Sequence, residues 1–326
     1  MTHKRCFDMK VIYLLSCTEV SNGGGIYKYG LTETGKLKEI DYLPCPKPMY
    51  AVISGERLHI LLRSPFSVDD HSGYFSCRED FTDISDVKDT LGKCACHLTV
   101  DTDAYIVNYL SGNIVKNCKK VVDHSGVGVN LPRQDMPHTH FVTYSPDKKY
   151  VLCCDLGLDT VYVYDRNLNL VSTSKVPQGY GVRHLVFSKD GQFIYAVNEL
   201  VPSVSVFKYS DGVAKYIDTT KLDCKDVNST AAATRIDQEA NRLYISVRGE
   251  DKIFVFDVCG ETLRLIADFS CGGSGPRDFD IVCDYIVCTN ENSDTVTVID
   301  KISHEIVDEL PMCAPLNVVK GEYNGF

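Results

Sequence analysis

One unit of sequence returns seven times along this chain, and it limits the possible folds more than any other feature. An apolar run ends in a loop at Cys17 (VIYLLSC), Arg63 (LHILLR), Asn108 (AYIVNY), Asp155 (YVLCCDLG), Asn198 (FIYAVNEL), Val247–Arg248 (RLYISVRG) and Asn290 (YIVCTNEN). Successive anchors are about 43 to 49 residues apart, the length of one four-stranded propeller blade. Apolar stripes at helical period are absent, which argues against barrels or doubly wound sheets with crossover helices. The expected fold is therefore all-β, a seven-bladed β-propeller of four-stranded blades, with residues 1–326 as one domain.

The stretch 179–200, GYGVRHLVFSKDGQFIYAVNEL, displays the unit most fully. His184–Phe187 and Phe193–Val197 read as strands, and Lys189-Asp190-Gly191 as the turn between them. Inner strands begin near Met49, Cys96, His140, Arg183, Ala232 and Arg277. A seventh, Pro315–Val319, has no second strand after it, whereas the strand ending at Cys17 has no first strand before it. Pairing these terminal strands closes the ring and removes the open sheet edge, which suits a monomer or a weak homo-oligomer. Outer strands follow at Thr160–Tyr164, Val204–Phe207, Ile253–Phe256 and Thr295–Val298. Without tryptophan there is no Trp-Asp dipeptide, so the WD40 variety is excluded. One long irregular stretch, Asn117 to Pro137, runs into His138-Thr139-His140 and reads as a flap beside a site.

The net charge of −10 and the lack of a basic block argue against a nucleic-acid partner. A local Arg/His cluster can still reverse the field inside one cleft, so a small anionic ligand fits. No apolar run is long enough to span a membrane, and the His3-Lys4-Arg5 segment before Val11–Cys17 precedes a strand rather than an export signal. Fifteen cysteines, including Cys153, Cys154, Cys283 and Cys288 in apolar runs, read as reduced core residues of a cytoplasmic protein. Cys94-Ala95-Cys96-His97 lacks a second half at zinc spacing, so neither metal nor cofactor is expected.

In a propeller, inner-strand starts gather at one mouth of the central channel. That places His97, His138, His140, Arg183, His184 and Arg277 together. Residues just past the second strands form a neighbouring ring of Asn108, Tyr109, Asp155, Asn198, Glu199, Arg248 and Asn290. His140, Arg183, Glu199 and Arg248 form the expected catalytic cluster. His97, Asn108, His138, Asp155, Asn198, Arg277 and Asn290 are expected to bind substrate, although turn chemistry alone explains Asn108, Asp155 and Asn290. Glu199 or a histidine can serve as base on water. Arginines can hold an oxyanion bidentately or stabilise one as it forms. Neither a Gly-x-Ser-x-Gly elbow nor a phosphate loop is present.

GIYKYGLTETGKLKEI, PHTHFVTYSPD, DLGLDTVYVYD, GVRHLVFSKDGQFIYAVNEL, SVRGEDKIFVF, GPRDFDI and TNENSDTVTV occur in this order and resemble the lactonase-type seven-bladed propellers. That family includes cycloisomerase-type 6-phosphogluconolactonases and fungal carboxy-cis,cis-muconate lactonizing enzymes. The resemblance implies a metal-free site whose histidine, arginines and glutamate fall on His140, Arg183, Arg248 and Glu199. Three departures stand out: Val182 replaces a proline, Val247 an asparagine, and Arg63-Ser64-Pro65 an Asn-Glu pair. The implied activity is hydrolysis of a sugar lactone, foremost 6-phosphogluconolactone, with His140 or Glu199 activating water. Alternatives are a lactone-closing cycloisomerase, a lactonase for an unphosphorylated sugar acid, and a propeller that only binds a ligand or protein.

Overall fold

The computed structural model describes residues 9–66 and 68–321; the His3–Arg5 segment lies outside them. Its strands form seven four-stranded antiparallel sheets, and among the described residues the only helical pieces are 3₁₀ turns at Val20–Asn22 and Glu291–Ser293. The sheets are the blades of a propeller, and inner strands touch in sequence around a complete ring. Blade 1 is shared between the chain ends. Pro315–Lys320 is its inner strand and pairs with Lys10–Ser16, with Leu14 opposite Val318. The expected closure is thus how the ring is sealed.

Each blade lies between two others, so both faces of its second strand are buried. Ile12 and Leu14 pack against Val282, Val287 and Val298 of blade 7. Tyr13 and Leu15, pointing the other way, pack against Leu58, Ile60 and Phe75 of blade 2. This two-sided burial explains why the second strands read as continuous apolar runs rather than as alternating ones. One apolar cluster occupies each of the seven blade junctions. A fully buried Leu or Ile in such a cluster contributes roughly 1.5–3 kcal/mol.

Cys153, Cys154 and Cys288 are buried core residues as expected, but Cys283 is exposed. It sits at φ +57° in the tight turn between Pro276–Val282 and Tyr285–Asn290, outside the sheet. The stretch from Asn117 also differs from expectation. Lys120–Asp123 is the outermost strand of blade 3, so the irregular flap begins only at His124.

Candidate active site

Every inner strand is irregular at the same step. Register shifts leave Met49, Cys96, His140, Arg183, Arg277 and Leu316 unpaired in their blades, and Ala232–Ala233 in blade 6. A β-bulge re-aims a side chain that would otherwise alternate with its neighbours. Here the six single-residue bulges line one axial cavity, and Ala232 joins the circle through its carbonyl, which accepts Arg183 Nη1 at 2.7 Å. The cavity offers only about 20 Å³ to the centre of a water molecule, which is room for water and not for a sugar ring. A ligand of that size must sit above it, at the rim.

The rim is built from residues at the ends of the second strands: Cys17, Arg63, Tyr109, Leu156, Glu199 and Glu291, each just past its strand, and Arg248, the last residue of its own. Its centre is Glu199, 4% exposed and ringed by guanidinium groups. Arg183 Nε donates to Glu199 Oε2 at 2.8 Å, and Arg248 Nη2 stands 3.3 Å from the same oxygen. Arg133 Nη2 donates to Oε1 at 2.6 Å. Burial alone would raise the Glu199 carboxyl, but Arg248, Arg183, His140 and Arg133 outweigh it and hold the group far below the usual carboxylate range. On the neighbouring side Arg277 Nη1 pairs with Glu291 Oε2 at 3.1 Å. Counting Arg63, five guanidinium groups face two carboxylates around this mouth, in a chain whose net charge is −10. That is the local field reversal a small anion requires.

Burial pulls the Arg183 guanidinium down to about 10, Glu199 opposes this, and Arg248 and Arg277 reinforce it, so the group stays charged at neutral pH. His140 is neutral for related reasons. Burial, then Arg183 and Arg277, drive it well below the usual imidazole value, with Glu199 pulling the other way. Its Nδ1 is sealed in the protein without a partner, which leaves Nε2 as the nitrogen available to a ligand. His184 has a different task. Arg183 Nη1 can only donate, so at 3.0 Å it makes His184 Nε2 the acceptor and fixes the Nδ1–H tautomer.

The flap supplies a residue that the sequence pattern did not single out. Gln134 is fully buried, and its Nε2 donates to the Leu156 carbonyl at 2.7 Å and to Asp159 Oδ1 at 2.8 Å. With Gln134 anchored, Arg133 reaches Glu199. A Cβ on Gly157 would fall 2.0 Å from the Met136 carbonyl, so the flap can cross blade 4 only over a glycine. The only sequence signal was the position of the loop before His138-Thr139-His140.

Several expected binding residues lie elsewhere. Cys96, not His97, occupies the bulge of blade 3. His97 lies one step deeper, its ring 4.3 Å from Tyr50 and 4.2 Å from Phe141, in an aromatic floor that also includes His184. Beyond this floor a separate channel of about 510 Å³ opens to the opposite face. Asn108, Asp155, Asn198 and Asn290 are fully buried; Asn198 and Asn290 bond within their own blades, whereas Asn108 and Asp155 also tie their blades to the preceding one. Asn108 donates to the Thr90 carbonyl and Asn113 Oδ1; Asn198 donates to the Ser203 and Ser205 hydroxyls; Asn290 donates to those of Thr295 and Thr297. Asp155 accepts from the backbone N–H groups of His138 and Leu158 and pairs with His124 at 2.6 Å, which orients the strand carrying His140. His138 is stacked on Tyr109 at 4.4 Å and supports the rim from behind. Among the described residues no three His, Cys, Asp or Glu side chains stand together as metal ligands.

The fold and mouth define a closed seven-bladed propeller with a buried arginine–glutamate–histidine cluster at one end of its axis. The chain belongs to the lactonase family of seven-bladed β-propellers, whose profile matches residues 11–305. An uncharacterized protein of Staphylococcus saprophyticus is 37% identical over 218 residues, and the match covers 63% of each chain. The chain therefore matches less than two thirds of that relative's length. A structure of a Lactobacillus plantarum protein superposes with a TM-score of 0.86 at 28% identity, covering 97% of this chain and all of that one. A periplasmic gluconolactonase of Pseudomonas aeruginosa shares the fold at TM-score 0.81 and 22% identity, with 94% and 98% of the two chains covered. No helix among the described residues is long and apolar enough to cross a membrane.

Proposed function

We propose that this mouth hydrolyses the lactone of an anionic sugar acid, with 6-phosphoglucono-1,5-lactone as the favoured substrate. One observation carries the reading: a neutral imidazole with one free nitrogen adjoins guanidinium groups gathered on a single buried carboxylate. His140 Nε2 takes a proton as water attacks the lactone carbonyl, and Arg183 and Arg248 stabilise the oxyanion. The ring C–O bond then breaks, and its oxygen leaves as a hydroxyl with the proton returned by His140. The product is the open-chain acid, which releases its carboxyl proton to solvent and leaves as the carboxylate.

Of the two candidate bases, the geometry favours His140. Both groups are held well below their ordinary values, but the Glu199 oxygens are already occupied by Arg133, Arg183 and Arg248, whereas His140 Nε2 is open to a ligand. Its role in this scheme is to fix the guanidinium groups and to favour the imidazolium formed during turnover. The chemistry assigned to these residues calls for neither metal nor cofactor. Fourteen unpaired cysteines among the described residues suit a reducing, cytoplasmic setting. The test is lactone opening by the purified protein in a pH-stat. Turnover above the spontaneous rate, lost in Arg183→Ala, supports the reading; spontaneous rates with every sugar lactone offered overturn it.

A further inference from the structure

Four of the five mouth arginines are committed to carboxylates: Arg133, Arg183 and Arg248 to Glu199, and Arg277 to Glu291. Arg63 is the exception. It follows the second strand of blade 2, the position held by Glu199 in blade 5, and forms no ion pair with a carboxylate among the described residues. Among the described residues its only side-chain hydrogen bond is from Nε to Met49 Sδ at 3.2 Å, a weak acceptor on the bulge residue of its own blade. That contact directs the side chain without neutralising it.

Two thiols report where this charge acts. Burial raises both Cys17 and Cys94, and in each case Arg63 and Arg277 are the groups that pull the thiol back down. The two guanidinium groups therefore project their field onto one sector of the rim, from blade 7 through blade 1 to blade 3. The raised thiols remain neutral there. The nearby bulge residues Met49, Cys96 and Leu316 contribute no charge, so the sector holds a surplus of positive charge next to an apolar wall. It adjoins the Glu199 cluster, whose carboxylate also acts on Arg277, but of the five guanidinium groups Arg63 alone has no carboxylate partner of its own among the described residues.

We infer that Arg63, with Arg277, is the subsite for a phosphoryl group on the substrate remote from the lactone carbonyl, and that Arg63 sets selectivity for phosphorylated over unphosphorylated sugar lactones. A guanidinium fork matches phosphate oxygens in bidentate geometry, and an unpaired one binds them without first breaking an ion pair. The inference rests on the proposed lactonase reading and assigns the anionic end of its substrate.

The test compares 6-phosphoglucono-1,5-lactone with glucono-1,5-lactone on wild type and on Arg63→Ala and Arg63→Lys. Arg63 is exposed and outside the blade junctions, so the variants keep the fold. The ratio of kcat/KM for the phosphorylated over the unphosphorylated lactone falls roughly tenfold to a hundredfold in Arg63→Ala, the scale of one charge-assisted contact, and is carried by KM. Arg63→Lys restores part of it. An unchanged ratio overturns the subsite. Inorganic phosphate binding, measured by calorimetry on wild type and Arg63→Ala, separates the two readings. If neither lactone is opened, the lactonase reading fails, yet weaker phosphate binding by Arg63→Ala still supports the subsite. Equal phosphate binding by both proteins overturns it.

Discussion

Replacing Glu199 by glutamine removes one negative charge that three cations share, and its cost can be worked from the geometry. Arg183 and Glu199 are both almost fully buried, with side chains 3% and 6% exposed. Removing one partner of a buried pair strands the other charge, at about 3–5 kcal/mol. Arg133, 44% exposed, adds little, because solvent screens it. The glutamine carbonyl keeps one acceptor, so the expected loss is near the lower end, about 3 kcal/mol. For a chain of this size that lowers Tm by about 6 °C, at roughly 2 °C per kcal/mol. The pH dependence has a definite sign. Glu199 is depressed in the folded protein, so its contribution is complete above the unfolded carboxyl value of about 4.3 and fades only as pH falls below that. Thermal unfolding followed by circular dichroism should show a constant gap between wild type and Glu199→Gln from pH 5 to 8 that narrows below about pH 4. A variant within 1 °C of wild type at pH 7, to use roughly the resolution of such scans, would show that the cluster is not electrostatically coupled to folding.

Arg133 tests the flap. Arg133→Ala should leave Tm within about 2 °C, because the side chain is half exposed, while raising KM for an anionic lactone severalfold; a lowered KM would mean that the arm obstructs the site rather than completing it. Asn198→Ala tests the opposite assignment. It should cost about 1–3 kcal/mol of stability by removing the two hydrogen bonds donated to the Ser203 and Ser205 hydroxyls, which keep their bonds to the Val201 carbonyl and Thr219, with KM nearly unchanged; a large KM effect in a well-folded variant would return Asn198 to the binding set.

The repeat was legible because each second strand is buried on both faces and has to be apolar throughout. Ring closure followed from counting strands, since Pro315–Lys320 and Lys10–Ser16 each lacked a partner in sequence. The bulge was not legible. One unpaired residue per inner strand moves Cys96 into the axial ring and His97 below it, and nothing in CACHLTV distinguishes the two. For the same reason of pleat, Glu199 reaches the mouth while the adjacent Asn198 turns into the blade. Arg133 was hidden because a loop without period carries no directional signal; Gln134, which anchors it, acts through long-range contacts with Leu156 and Asp159. His140, Arg183, Glu199 and Arg248 could be chosen from sequence because charged and titratable residues there serve no packing need.

His140 is the base that activates water in this scheme, and its removal is the most direct test. The measurement is the pH profile of kcat/KM for lactone opening by wild type and His140→Ala, corrected for spontaneous hydrolysis. Burial and Arg183 keep this imidazole neutral well below its ordinary value, so wild-type activity should stay level from pH 8 to below 6.5 and fall only in more acidic solution. His140→Ala should lose roughly a hundredfold to ten-thousandfold, together with the acidic limb. Full activity in His140→Ala, or a wild-type profile that it reproduces unchanged, would contradict the account.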